Sequence, residues 1–191
     1  MSSYKNKTFI VFLDLPNWLS TNIDSVKKNF GNNYKKWEAH ITFKQDEDFD
    51  FNTQEATEIV GSYFTGKSKY QITINKPKIS FFDDNWNIYL PITKNIRLSS
   101  DIKAFSKLIK KYINPKSPHA YKSTKWEQSA DFYPHISLKG GKGKNIGVTI
   151  YKKILKSNFN FTFPQSLQVK SITLAKWKLT KWERIKTIQL A

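Results

Sequence analysis

The spacing of hydrophobic positions changes several times along the chain. Short apolar runs and alternating positions predict strands, and apolar residues that recur every three or four positions predict helices. Asn52 and Glu55 have the spacing of a capping box that begins a helix. In order, the pattern predicts a strand over 8–14, a helix over 19–30, a strand over 39–44, a helix over 52–64 and a strand over 70–74.

The second part of the chain repeats this order. The pattern predicts a strand over 88–92, a helix over 102–112 that Ser100 can cap, a strand over 134–139, a helix over 145–157 and closing strands over 167–177 and 182–190. The repetition predicts an α+β fold with two similar lobes of strand-helix-strand-helix-strand order and antiparallel-rich sheets around a central cleft. We expect one domain over 1–191, with lobes over about 1–84 and 85–191.

Two of the three histidines lie in nearly the same pentapeptide. His40 begins the sequence HITFK and His135 begins HISLK, each on the second predicted strand of its lobe. Because successive strand residues point to opposite faces, His40 shares a face with Thr42, and His135 shares a face with Ser137. If a pseudo-two-fold axis relates the lobes, both pairs line one groove.

Two imidazoles and two hydroxyls in one groove suit phosphodiester chemistry. A neutral imidazole can accept a proton from water or a ribose 2′-hydroxyl, while a protonated one donates to the leaving oxygen. The hydroxyls can hydrogen-bond the non-bridging phosphate oxygens. This scheme needs no metal and no other cofactor, and two histidines without cysteine are too few for a zinc site. A strand histidine is commonly structural, but two at equivalent positions favour the catalytic interpretation.

The paired motifs resemble those of the 2H phosphoesterase superfamily, whose pattern of His, apolar, Ser or Thr, apolar is matched at 40–43 and 135–138. That superfamily includes bacterial 2′-5′ RNA ligase-like proteins, 2′,3′-cyclic phosphodiesterases, U6 RNA-trimming exonucleases and viral 2′-5′ oligoadenylate phosphodiesterases. The resemblance implies a metal-independent phosphodiesterase that cleaves RNA or a small oligonucleotide at a 2′-5′ linkage, a 2′,3′-cyclic phosphate or a 3′ end. It implies catalytic roles for His40, Thr42, His135 and Ser137. A non-catalytic RNA- or nucleotide-binding module that uses the same cleft is the alternative.

Five further side chains are candidates for substrate binding because they lie near the motifs or can stack on a base. Tyr133 comes two residues before His135 and should share its face. Aromatic rings beside a phosphate site can stack on nucleobases, although core packing is the alternative for any one of them. Two of the lysines directly follow the motifs and can add positive potential at the cleft edge. The candidates are Lys44, Lys139, Trp37, Trp126 and Tyr133.

The charge of the chain points to the kind of partner. Lys and Arg number 32 against 15 Asp and Glu, which gives a formal net charge of +17. Such an excess favours a polyanionic partner, here RNA or an oligonucleotide, over a role in solubility alone. No apolar segment is long enough for a membrane helix, and no cysteine is present. We expect a monomer without membrane attachment in the cytoplasm, with the nucleus or a host cell's cytosol as alternatives.

Residues 114–131 form a long segment with two prolines, several lysines and no hydrophobic period. Long irregular segments inside compact domains are usually functional or disordered. We therefore predict an insertion that is either a loop contacting the substrate or a disordered surface segment.

Overall fold

The computed structural model of the chain describes residues 8–31, 38–48, 52–112, 133–178 and 181–191. The predicted insertion over 114–131 lies outside these ranges. Within them the fold is α+β, as the repeated pattern predicts. Its elements are β1 (Thr8–Asp14), α1 (Asn17–Asn29), β2 (His40–Asp48), α2 (Thr53–Phe64), β3 (Tyr70–Ile74), β4 (Lys78–Phe82), β5 (Asn85–Pro91), α3 (Ile96–Ile109), β6 (His135–Lys142), α4 (Lys144–Leu155), β7 (Gln165–Val169), β8 (Ser171–Lys178) and β9 (Lys181–Gln189).

The strands pair in three antiparallel sheets. The large sheet has the order β2-β1-β8-β9, the small sheet has the order β4-β5-β6, and β3 pairs with β7. A bridge between Ile74 and Ile92 connects β3 to the end of β5. The expected division near residue 84 does not describe these sheets, because β8 and β9 complete the sheet that begins with β1. The pattern also predicts one strand over 167–177, whereas the chain divides there into β7 and β8, which belong to different sheets.

Two of the helices pack on a different sheet from the strand that precedes them. Helices α2 and α3 pack on the large sheet, while α1 and α4 pack on the small one. Behind the first motif, the ring of Phe43 on β2 contacts Phe64 of α2 and Phe105 of α3, with centroid distances of 4.9 and 5.8 Å. Aromatic packing of this kind fixes the strand that carries His40 from the side opposite its imidazole.

Side-chain caps set the start of two helices. Asn52 and Glu55 form the predicted capping box of α2, in which the Glu55 backbone N–H donates to Asn52 Oδ1 at 3.0 Å. Helix α3 begins earlier than the pattern predicts. The backbone N–H of Leu98 donates to Asn95 Oδ1 at 2.8 Å, so Asn95 is the cap and Ser100 lies inside the helix.

Glycines allow α4 and β6 to approach Trp86 closely. A Cβ atom added at Gly147 would lie 2.6 Å from the Trp86 side chain, and one added at Gly141 would lie 2.7 Å from it. The Trp86 indole is buried and donates from Nε1 to the carbonyl of Lys142 at 3.0 Å. Gly141 and Gly147 therefore serve the close packing of β6 and α4 on Trp86.

Candidate active site

The two strands that carry the histidine motifs meet at the edges of their sheets. Strand β2 ends the large sheet and β6 ends the small sheet. The two strands contact each other, which brings the two motifs into the same region of the molecule.

The first motif lies beside β1 in the large sheet. In the antiparallel register, His40 pairs with Asp14 and Thr42 pairs with Phe12, so these four side chains share one face. The His40 ring packs against the Phe12 ring at a centroid distance of 4.9 Å. Ile41 between them is fully buried on the opposite face. The predicted shared face of His40 and Thr42 is therefore present.

The second motif repeats this arrangement beside β5. His135 pairs with Pro91 and Ser137 pairs with Tyr89, while Ile136 is fully buried on the other face. The His135 ring packs against the Tyr89 ring at 5.1 Å. In both sheets, therefore, the aromatic residue that pairs with the motif hydroxyl also supports the imidazole.

A backbone carbonyl orients each imidazole. Nδ1 of His40 lies 2.6 Å from the carbonyl oxygen of Glu38, and Nδ1 of His135 lies 3.1 Å from that of Tyr133. In each case the acceptor belongs to the residue two positions earlier. Because a carbonyl can only accept, Nδ1 carries the proton of the neutral ring and Nε2 keeps a lone pair for proton transfer.

Burial favours the neutral form of both rings. It lowers the pKa of His40 from 6.5 to about 4, and the nearby Lys27 ammonium lowers this pKa further, against opposing effects of the Glu38 carbonyl and the Glu38 and Asp14 carboxylates. Burial also lowers the pKa of His135, with the Tyr133 carbonyl opposing. Both imidazoles are therefore mainly neutral near pH 7 in the free protein.

A cluster of polar side chains that sequence reasoning missed surrounds His40. Asp14 Oδ1 pairs with Arg184 Nη1 at 2.7 Å, and its Oδ2 accepts from the hydroxyls of Ser171 and Thr173 at 2.9 and 2.8 Å. Arg184 also donates from Nε to Glu38 Oε1 at 3.0 Å. A charged residue at the end of the apolar strand 8–14 is a signal for Asp14. Arg184 reaches the site only through the pairing of β9 with β8, which the sequence pattern does not show.

The structure places Lys44 away from the predicted cleft edge. Thr42 pairs with Phe12 but Lys44 pairs with Val11, so one extra residue of β2 forms a bulge between them. The bulge turns Lys44 to the helix-covered face, where it is 1% exposed and lines a small apolar cavity. The expected role at the cleft edge is wrong for this lysine.

The same irregularity occurs after the second motif. Ser137 pairs with Tyr89, whereas Lys139 pairs with Ile88, which is fully buried. Residues directly opposite each other in an antiparallel pair share a face. The register therefore places Lys139 on the face of the small sheet that α4 covers, and not beside the hydroxyl of Ser137.

Of the three aromatic candidates, the structure describes only Tyr133. Its side chain is 46% exposed, and its carbonyl oxygen is the partner of His135 Nδ1. It therefore lies next to the second motif, and its role in substrate binding stays a prediction. Trp37 and Trp126 lie outside the described residues.

The described ranges hold neither a metal-binding cluster nor a membrane-spanning helix. No group of three or more His, Cys, Asp or Glu side chains there is placed to hold a metal ion. No helix there is long and apolar enough to cross a membrane.

An α+β fold whose antiparallel sheets bring two His-x-hydroxyl strands together agrees with the motif resemblance, and the chain has the 2H phosphoesterase fold. No protein-family model matches the sequence, and no curated protein matches it. Solved structures match along nearly the whole chain.

LigT of E. coli complexed with 3′-AMP superimposes with a TM-score of 0.58 and 12% identity, covering 97% of this chain and 98% of that chain. TT0787 of Thermus thermophilus gives a TM-score of 0.55 and 10% identity, with 95% and 97% covered. A crystal structure of a phosphoesterase gives a TM-score of 0.52 and 13% identity, with 97% and 99% covered. At these identities the likeness establishes the fold.

Proposed function

We propose that the protein is a metal-independent phosphodiesterase in which His40 and His135 act together on one phosphodiester of RNA or a small oligonucleotide. The observation that carries this proposal is the equivalent presentation of the two imidazoles. Each one donates from Nδ1 to a carbonyl two residues earlier, packs on an aromatic ring and shares its face with a hydroxyl. A structural histidine would not need this arrangement twice on adjacent edge strands.

In this proposal His40 is the general base. A pKa of about 4 keeps its Nε2 unprotonated at neutral pH, so it can accept the proton of the nucleophile, which is water or a ribose 2′-hydroxyl. As the nucleophile's oxygen bonds to phosphorus, the bond from phosphorus to the leaving oxygen breaks. Attack by water gives hydrolysis, and attack by the 2′-hydroxyl gives a 2′,3′-cyclic phosphate.

His135 is the general acid that donates a proton to the leaving oxygen. Burial lowers its pKa in the free protein, so it must gain its proton in the complex. The negative charge of a bound phosphodiester stabilises the imidazolium and raises the pKa of the ring it contacts. Burial holds the pKa of His40 at about 4 despite the Glu38 and Asp14 carboxylates, and the Lys27 ammonium further disfavours a proton there, whereas no cation among the described residues is recorded to act on His135 in this way. We therefore assign the substrate-induced proton to His135.

Thr42 and Ser137 hold the phosphate between the imidazoles. Each hydroxyl belongs to the residue two positions after a histidine and lies on that histidine's face of the sheet. Donation to a non-bridging phosphate oxygen strengthens as negative charge develops there in the transition state. In-line placement of the phosphorus also reduces the entropy lost on reaching that state.

The proposed substrate class rests on charge and on the structural neighbours. A net charge of +17 suits a chain of phosphates. LigT of E. coli has been solved with 3′-AMP and with NADP⁺, and these ligands support a nucleotide-containing substrate for this chain. A monomeric state and a cytoplasmic location stay predictions.

A substrate panel in EDTA tests the proposal. The panel contains 2′-5′ and 3′-5′ oligoadenylates, RNA that ends in a 2′,3′-cyclic phosphate, and cyclic dinucleotides. We expect turnover of at least one substrate in chelator, and a loss of about 10²- to 10⁴-fold in His40→Asn and in His135→Asn. His119→Asn, at the histidine outside both motifs, is the matched control. A strict metal requirement, or full activity in either motif variant, would contradict the mechanism. Binding without turnover of any substrate would favour the non-catalytic module.

A further inference from the structure

We propose that Arg184 is a positioning residue that holds His40 in its catalytic orientation and tautomer. This inference rests on the proposed function, because it assigns Arg184 a role in the same reaction. Arg184 lies on β9, far from either motif in the sequence, and reaches the first motif through the pairing of β9 with β8 and of β8 with β1.

Arg184 contacts three residues that adjoin His40: Asp14, Glu38 and Phe12. Its Nη1 lies 2.7 Å from Asp14 Oδ1, and Asp14 is the backbone partner of His40. Its Nε and Nη2 both lie 3.0 Å from Glu38 Oε1, and the Glu38 carbonyl accepts from His40 Nδ1. Its guanidinium carbon also lies 5.3 Å from the centroid of the Phe12 ring, on which His40 packs.

These contacts leave Arg184 little capacity to bind a phosphate itself. A guanidinium has five N–H donors in a fixed plane. Nε and Nη2 face Glu38, while Nη1 donates both to Asp14 and to Thr173 Oγ1 at 2.9 Å. Two carboxylates also offset its positive charge. The geometry therefore favours a role exerted through His40 over a direct contact with substrate.

The second motif has no equivalent of this cluster among its pairing partners. Pro91 pairs with His135 where Asp14 pairs with His40, and Tyr133 supplies the carbonyl that Glu38 supplies in the first motif. Neither Pro91 nor Tyr133 carries a carboxylate for an arginine to bind. The cluster therefore distinguishes two imidazoles whose backbone surroundings are otherwise alike.

The cluster also sets the charge around His40. Asp14 and Glu38 favour a proton on the ring, and the Lys27 ammonium opposes one. Arg184 neutralises part of the negative charge on both carboxylates, so its loss should raise the pKa of His40. The charged groups that act on His40 are Asp14 from β1, Glu38 before β2 and Lys27 from α1. Arg184 from β9 pairs with Asp14 and Glu38, Asp24 pairs with Lys27, and His135 lies on the neighbouring β6.

Three substitutions test the proposal, with steady-state kinetics against pH and ¹⁵N NMR titration of the His40 ring. Arg184→Met should lower kcat by about 10- to 100-fold with little change in KM, because a loosened base is misplaced in the bound complex. The His40 titration should move up by about one pH unit. Arg184→Lys should shift the His40 titration less than Arg184→Met does, because it retains the positive charge. It should restore little kcat, because an ammonium lacks the planar set of donors of a guanidinium. Glu38→Gln should move the titration in the opposite direction, since it removes a carboxylate.

Lys178→Met is the matched control, because Lys178 forms an ion pair with Glu183 on the same hairpin and has no recorded contact with His40. It should leave kcat and the His40 titration unchanged. A higher KM with unchanged kcat in Arg184→Met would overturn the proposal in favour of direct substrate binding. Wild-type kcat in Arg184→Lys together with an unchanged His40 titration in Glu38→Gln would overturn it even if Arg184→Met does not fold. The NMR result does not need turnover, so an inactive wild-type protein would refute the proposed function separately.

Discussion

Replacement of His40 by Asn should remove much of the loss of stability that the protein suffers in mild acid. The folded protein binds the His40 proton only near pH 4, whereas the unfolded chain binds it near the ordinary pKa of 6.5. A group whose pKa is lowered on folding leaves stability intact above its unfolded pKa. That stability then falls as the pH decreases from about 6.5 to about 4, because only the unfolded chain takes up the proton.

The size of the effect follows from the two pKa values. Complete protonation of the unfolded state across this window corresponds to about 3 kcal/mol. Between about pH 7 and about pH 5, the His40 contribution to the free energy of unfolding should fall by about 2 kcal/mol. An effect of this size is a large fraction of the stability of a small domain.

Urea unfolding, followed by far-ultraviolet circular dichroism at about pH 7 and about pH 5, measures this quantity. Asn is the chosen replacement because its side-chain amide can still donate to the Glu38 carbonyl but does not titrate. The wild-type protein should lose about 2 kcal/mol more than His40→Asn over this interval, and the control His119→Asn should behave like wild type. If His40→Asn and wild type lose the same free energy, the ring is not buried as a neutral group and the reasoning fails.

Three further predictions concern the hydroxyls, the packing and the charge. Thr42→Val and Ser137→Ala should each lower kcat by about 10- to 1,000-fold at an unchanged Tm, and a lower Tm with normal turnover would make these hydroxyls structural. Gly147→Ala should destabilise the fold by about 1–3 kcal/mol in urea unfolding, because its Cβ would meet the Trp86 indole at 2.6 Å. Gly61→Ala has no atom within 4 Å of its Cβ and should stabilise the fold by up to about 1 kcal/mol. Equal effects would contradict the packing argument. The slope of log affinity for long RNA against log salt concentration should steepen by about 0.7 for each phosphate that the protein neutralises, while dinucleotide turnover should depend little on salt. Equal salt dependence for both substrates would indicate a small natural substrate.

The sequence was sufficient to predict the local parts of the site. Strand periodicity of two places His40 with Thr42 and His135 with Ser137, and the structure keeps both pairs on one face. The capping box of α2 was equally local and is confirmed. Each of these features depends on residues no more than three positions apart, which is the range over which backbone geometry alone fixes direction.

The interleaving of the sheets depends on pairings that no local pattern contains. Strand β8 is buried over 172–175, but its local sequence does not indicate which strand it pairs with. It pairs with β1, more than 150 positions earlier, as the hydrogen bond from Ser171 to Asp14 also shows. Arg184 belongs to the site for this reason alone. A prediction limited to short spacings could therefore find the histidines but not the arginine that contacts the surroundings of His40.

Proximity to the motifs did not place the two lysines in the groove, because each follows a bulge. A bulge inserts one residue and moves every later side chain to the other face, and its position depends on the partner strand. Thr42 to Lys44 on β2 and Ser137 to Lys139 on β6 each span such an irregularity. The bulges occur at the same place in both motifs, so the error was repeated in the two halves. Each bulge follows the hydroxyl residue directly, so the next side chains do not continue the face that carries the histidine.

Equal backbone surroundings and unequal charges together explain how two similar motifs can take opposite roles. General acid–base catalysis requires one imidazole to be neutral when the other is protonated. The carbonyl and aromatic contacts make both rings geometrically competent, but they cannot separate their protonation states because both motifs have them. The separation must come from groups outside the motifs, and the charged groups recorded beside His40 have no counterparts at Pro91 and Tyr133. In this proposal Arg184 on β9 helps to make His40 the base and His135 the acid. An exchange of these roles would require substitutions at the flanking positions and none within the motifs.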